Sequence, residues 1–284
     1  VATGPPPAGD RPGREGRAVP ARVLAVVLAL VAALLLMGVV DLVTLLGWVD
    51  QRYVWEVPLE ASWGALFTFF LAGAYLRLAV LPGAPWPALA QLAVAALALG
   101  VGAGAGADVR LLALAAGVAG SGLALWHLLG RPPLPARRAG PAHRPSLLVA
   151  ALGVPLWLPY AVTAFERSRA RVTGSVTQGV EHWPVQGAVG VALVVAALVL
   201  ALRQDLRALL RVTVGLSALW VGMAELSHPD RAGATGDARW GVAVTLWALL
   251  VALVALPGRA APLPERPTAP GPVPRRPDRE AGPG

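Results

Sequence analysis

Long apolar runs separated by blocks of arginine constrain this 284-residue chain more than any other feature. A helix crossing the hydrocarbon core needs roughly 20 mostly apolar residues, because lipid offers its backbone no hydrogen-bond partner. Such runs lie near 22–48, 61–81, 86–107, 109–129, 146–165, 185–202, 206–226 and 240–257. They predict an all-α fold, a polytopic transmembrane helical bundle of about eight helices. With 56% hydrophobic and 14% charged residues, the chain cannot have water as its main solvent.

The flanks read differently. Residues 1–21 and 258–284 are rich in Pro, Gly and Arg and cannot bury a core. They are expected to be disordered cytoplasmic tails around a transmembrane domain at 22–257. The first run follows Arg11, Arg14, Arg17 and Arg22 as a secretory signal would, but it is too long for a cleavable one, so a retained signal anchor is expected.

Arginine also sets the orientation. Cytoplasmic loops retain positive charge, and a cytoplasmic N-terminus places sixteen arginines inside against seven outside, with Arg77 inside the second run. Both termini are therefore expected in the cytoplasm. Trp48, Tyr53, Trp55, Trp63, Trp183 and Trp240 then fall at the outer interface, where amphipathic rings collect. The chain has no Lys, Asn or Ile, types with AT-rich codons, so a high-GC bacterial source and a cell-membrane location are expected. Codon usage thus explains why the basic residues are all Arg, and sidedness explains the charge of +8. A lipid bilayer, not nucleic acid, is the expected partner.

No catalytic or cofactor signature is present. The absence of Cys excludes thiol catalysis and thiolate metal sites, and Ser121, Ser217 and Thr245 have no nucleophile-elbow context. The polar interest lies on the outer face, among Asp50, Glu56, Glu60, Asp108, Glu166, Glu181, His182, Glu225, His228, Asp230 and Asp237. Glu181-His182 and Glu225-x-x-His228 are the pairs best suited to a divalent metal, while a solvated acidic rim is the plainer reading. Asp41 is the one acid within an otherwise apolar run. At ~1.5 Å per residue it sits near the outer boundary, where a capped interfacial carboxylate and a proton or cation site both fit. Asp41, Glu60, Glu181 and His182 are the candidate polar site.

Three further features bear on architecture. Pro155 and Pro159, one turn apart, can open carbonyls in the fifth run to a ligand or water, or be the ordinary kinks of a membrane helix, whereas the first run has no Pro. Gly100, Gly102, Gly104 and Gly106 predict close packing on the fourth run, through Gly117, Gly120 and Gly122, and also offer a face for a protein partner or a second copy. Arg77 is placed to snorkel to the headgroups, and His127 to be a hydrogen-bonded structural residue.

The halves of the chain also echo each other. Asp108-Val109-Arg110 precedes the fourth run and Asp237-Ala238-Arg239 the eighth; Gly130-Arg131 and Gly258-Arg259 follow them. Glu60, Trp63 and Gly64-Ala65 open the second run as Glu181, Trp183 and Gly187-Ala188 open the sixth. A 4+4 duplication with parallel halves accounts for this, as does generic recurrence of Asp, Arg and Trp at membrane interfaces.

The stretch DLVTLLGWVDQRYVWEVPLEASWGALFTFFLAGAYLRLAV at 41–80, with SVTQGVEHWPVQGA at 175–188, resembles multi-pass membrane proteins of high-GC actinobacteria. The resemblance implies an integral membrane protein and brings no activity, substrate or cofactor with it. The leading expectation is a permease-like, small-solute-handling protein with an acidic outward-facing vestibule. The alternatives are a non-catalytic membrane assembly component and, third, an enzyme acting on lipid or envelope precursors.

Overall fold

The computed structural model describes residues 13–44, 56–135, 143–173 and 182–254. Among them every regular element is helical. Helix α1 (Gly13–Leu30) continues through a π-helical turn at Val31–Leu35, and α2 (Gly38–Thr44) follows it. The remainder are α3 (Val57–Val80), α4 (Trp86–Gly106), α5 (Arg110–Leu128), α6 (Arg144–Arg169), α7 (Trp183–Leu202), α8 (Gln204–Ser227) and α9 (Ala238–Val254). Seven of these segments, the first being Ala18–Leu35, are long and apolar enough to cross a membrane. The eighth expected span corresponds to α9, a 17-residue apolar helix that reaches the edge of the described residues. This is an integral membrane helical bundle.

The spans close into two rings. In the first half, α1 with α2 packs on α3, α3 on α4, α4 on α5, and α5 back on α1. In the second half, α6 packs on α7, α7 on α8, α8 on α9, and α9 back on α6. Across the boundary α4 meets α7 and α3 meets α8, two contacts that exchange under a two-fold axis along the bundle. The pairs α3–α7 and α4–α8, which such an axis maps onto themselves, also touch. The correspondence reaches single residues. Asp108 Oδ1 accepts the Arg110 backbone N–H at 3.0 Å, and Asp237 Oδ1 accepts that of Arg239 at 2.9 Å. Grooves of about 490 and 310 Å³ open between α4 and α5 and between α8 and α9. Ala119 and Leu123 line the first; Ala248 and Ala252, at the same spacing from their capping aspartate, line the second. The symmetry is approximate, since α4 also packs on α6.

The helix break falls where the sequence did not point. Helix α6 runs unbroken from Arg144 to Arg169 with Pro155 and Pro159 inside it. The first span is the discontinuous one: after its π turn the chain leaves the helix at Leu36, and Met37 takes a left-handed backbone at φ 61°. Lipid cannot satisfy a freed carbonyl, so protein must. Trp63 Nε1 donates to Leu36 O at 2.7 Å, and Trp220 Nε1 donates to Leu42 O at 3.1 Å. Two glycines make room. A Cβ on Gly64 would lie 2.8 Å from Gly38 O, and one on Gly38 would lie 2.8 Å from Thr68 Oγ1. Close backbone approach, not proline, therefore positions the break.

Helix α3 opens into π turns across Ala65–Ala72. Its carbonyls find a partner in Gln91, whose Nε2 donates to Phe69 O at 3.0 Å and Phe70 O at 2.8 Å, while Thr213 Oγ1 donates to Gln91 Oε1 at 2.9 Å. This buried relay ties α3, α4 and α8 together away from the candidate site.

Helix packing through glycine follows expectation only in part: a Cβ on Gly102 would lie 3.2 Å from Leu111 of α5, and one on Gly122 would lie 3.9 Å from Leu92 of α4. Gly102 and Gly106 face Pro184 at the start of α7, where added Cβ atoms would lie 2.8 and 3.0 Å from it. Gly100, Gly104, Gly117 and Gly120 meet nothing within 4 Å. The close contact of α4 is thus with the other half, because α4 belongs to the inner set with α3, α7 and α8.

Gly64→Ala is expected to lower stability by about 1–3 kcal/mol, the cost of overpacking. Gly104→Ala, in open space, should be neutral or slightly stabilising. Thermal unfolding of the purified protein in detergent checks both, and equal melting temperatures for the two variants would contradict the packing described.

Candidate functional site

The break in the first span delivers Asp41 to the bundle interior. Asp41 N–H bonds to Met37 O at 2.9 Å, so the second segment starts at the left-handed residue and turns Asp41 toward α3. There its carboxyl group faces that of Glu60. Two buried carboxyl groups side by side repel when both are ionised, and a proton between them relieves the pair. Asp41 is 6% exposed and Glu60 3%.

His182 enters from the other half, at the start of α7. It is 8% exposed, and its Nδ1 lies 3.7 Å from Glu60 Oε1 and has no hydrogen-bond partner. The imidazole rests on Trp63, with ring centroids 4.4 Å apart. Burial lowers the His182 pKa to about 4, which keeps the ring neutral at ordinary pH. Glu56, also buried, adds its charge near Glu60.

A second polar group lies beside the first. Ser62 Oγ and Tyr160 Oη are 2.7 Å apart, joining α3 to α6, with Gln186 of α7 nearby. Gln186 Nε2 donates to Gly233 O at 2.6 Å, which holds the 228–237 connection down on the bundle. Gly233, at φ 91°, sits against Leu59, where a Cβ would lie 2.7 Å from that side chain. Glu225, 1% exposed, anchors the same connection. Its carboxylate accepts the backbone N–H groups of Thr235 (2.9 Å) and Gly236 (3.0 Å), and the Thr235 hydroxyl.

The structure therefore places three of the four candidate residues, Asp41, Glu60 and His182, in one buried cluster. Glu181 lies outside the described residues. Grooves of about 600 and 490 Å³ are lined almost wholly by apolar side chains, and Asp41, Glu60 and His182 line neither. Glu225 and His228 do not act together: Glu225 is spent on the 235–236 backbone, and His228 Nδ1 lies 2.8 Å from Ser227 Oγ. Among the described residues no group of three or more acids and histidines is arranged to hold a metal ion.

Comparison with protein-family models, curated proteins and solved structures gave no match. The chemistry of this cluster is accordingly read from its own geometry.

Other single residues fall into place. Asp108 stays well below the usual carboxylate range, chiefly through its hydrogen bonds with Arg110. His127 accepts from Arg131 Nε at 2.9 Å on the surface. Arg77 is half-buried, with its Nη1 enclosed and without a hydrogen-bond partner. Ser62, Tyr160 and Gln186 were not singled out by the sequence reading. Ser62 and Gln186 did carry a signal, as polar residues at the start of apolar helices.

A histidine buried as the neutral ring contributes stability that is complete above its ordinary pKa of 6.5 and is lost as pH falls toward about 4. Melting temperature should therefore fall across that window in the native protein, and His182→Gln should remove this part of the slope. An unchanged slope in the variant would contradict the burial of His182.

Proposed function

We propose that this integral membrane protein is permease-like and handles a small solute at the Asp41–Glu60–His182 cluster. One observation carries the reading: a broken membrane helix sets a buried carboxyl pair against the boundary of two matching four-helix halves. Discontinuous helices at the junction of repeated halves are a recurrent way to expose polar groups to a solute inside a membrane. Ionisable side chains buried within a bundle are costly, and a transport pathway is a common reason to keep them.

In this reading both termini face the cytoplasm of a bacterial cell, as the arginine distribution supports. The cluster then lies toward the outside, at an acidic vestibule closed by the 228–237 connection. Lifting that connection breaks the Gln186–Gly233 bond and uncovers Leu59. Glu181 adjoins His182 in sequence and lies outside the described residues.

A second reading, a membrane assembly component, is favoured by the open faces at Gly100, Gly104, Gly117 and Gly120. Stable co-purification of a membrane partner, lost when these glycines are enlarged, supports that reading over the first.

Flux through proteoliposomes containing the full chain tests transport, using a panel of small cations and neutral metabolites. Solute-dependent flux is expected, and Glu60→Gln should reduce it by about tenfold or more. No flux across the panel from a folded, correctly inserted protein would overturn the proposal.

A further inference from the structure

The proposed transport reading leaves open what occupies the cluster itself. Three observations bear on its chemistry. The Asp41 and Glu60 carboxyl groups, 6% and 3% exposed, face each other, and two such groups repel unless a proton is held between them. His182 Nδ1 has no hydrogen-bond partner, is carried by a residue 92% buried, and points at Glu60 Oε1 from 3.7 Å. No metal-holding group of three acids and histidines exists among the described residues.

We propose that Asp41, Glu60 and His182 form a proton-binding and proton-transfer site. It rests on the transport reading only in making that proton the coupling ion. One proton is held between the two carboxyl groups, and His182 Nδ1 is its second acceptor. In the transfer step the O–H bond on Glu60 breaks and an N–H bond forms on Nδ1. Glu60 becomes a carboxylate and His182 an imidazolium, so the proton count and net charge of the cluster are unchanged. The distance of 3.7 Å is too long for a hydrogen bond, so transfer requires the rings and chains to close by a few tenths of an ångström or more. Movement of α7 against α3 supplies such a closure, because His182 stands at the start of α7 and Glu60 on α3. The titratable groups facing the site are Asp41 from the first span, Glu56 and Glu60 from α3, Tyr160 from α6, His182 at α7 and Glu225 from α8. Glu56 adds negative charge beside Glu60, which favours retention of a proton there. Tyr160 and Glu225 are engaged with Ser62 and with the 235–236 backbone.

Infrared spectroscopy of the full chain in bilayers tests this without any solute. A protonated carboxyl stretch should persist at about pH 7, where ordinary carboxyl groups are ionised. Asp41→Asn and Glu60→Gln should each abolish it. Absence of the band in the native protein, or its survival in both variants, would overturn the proposal. A second readout uses Trp63, which stacks on His182. Its fluorescence, taken as the difference from Trp63→Phe, should be quenched as pH falls toward about 4 and lose that response in His182→Gln. An unchanged response in His182→Gln would remove His182 from the site, and the proposal with it. The infrared band reports protonation whether or not solute moves, so loss of the band and loss of flux are separate outcomes.

Discussion

The close approach of Gly38 to Gly64 is the contact on which the Asp41–Glu60–His182 end of the bundle depends. With side chains at either position, the first span could not lie against α3 at backbone distance, and Trp63 could not reach the Leu36 carbonyl. The break at Leu36–Met37 would then leave a bare carbonyl in an apolar surrounding, at a cost of several kcal/mol. Satisfied, the break is affordable, and its consequence is chemical: it carries Asp41 inward to Glu60. Packing, backbone satisfaction and the carboxyl pair are thus one linked arrangement.

The two rings give that arrangement its setting. Both halves close in the same order and cap their last helices with the same Asp-x-Arg geometry, but their polar content differs. Asp41 and Glu60 belong to the first half, while Tyr160, His182, Gln186 and Glu225 belong to the second. A shared scaffold with unlike side chains at its junction produces an asymmetric polar centre from a nearly symmetric frame. Conformational change between the halves would alter the distance from His182 to Glu60 directly, since each half supplies one of them.

Class and span positions were legible because bilayer thickness imposes a length and a composition on each helix, and those are sequence properties. The acidic end was legible too, because Asp41 interrupts an apolar run and Glu60 and His182 stand at helix starts. Three-dimensional approach was not. The Pro155–Pro159 pair suggested a break in α6, yet a long helix absorbs prolines when neighbouring groups meet the freed carbonyls. The real break has no proline and a single Gly38 as its sequence trace. Likewise, which of the alternating glycine registers on α4 faces protein depends on helix rotation, and the structure selects Gly102 and Gly106 against α7. Gln91 and Gln186 act on backbone carbonyls in other segments, which composition alone cannot assign.

The central claim is that the broken first span and α3 meet through Asp41 and Glu60 inside the bundle. A double-mutant cycle on thermal stability, using Asp41→Ala, Glu60→Ala and the double variant of the full chain, measures that contact most directly. The account predicts coupling of at least about 1 kcal/mol, since either single change removes the interaction between the two carboxyl groups. Strict additivity of the two substitutions would show that the carboxyl groups do not meet, and would contradict it.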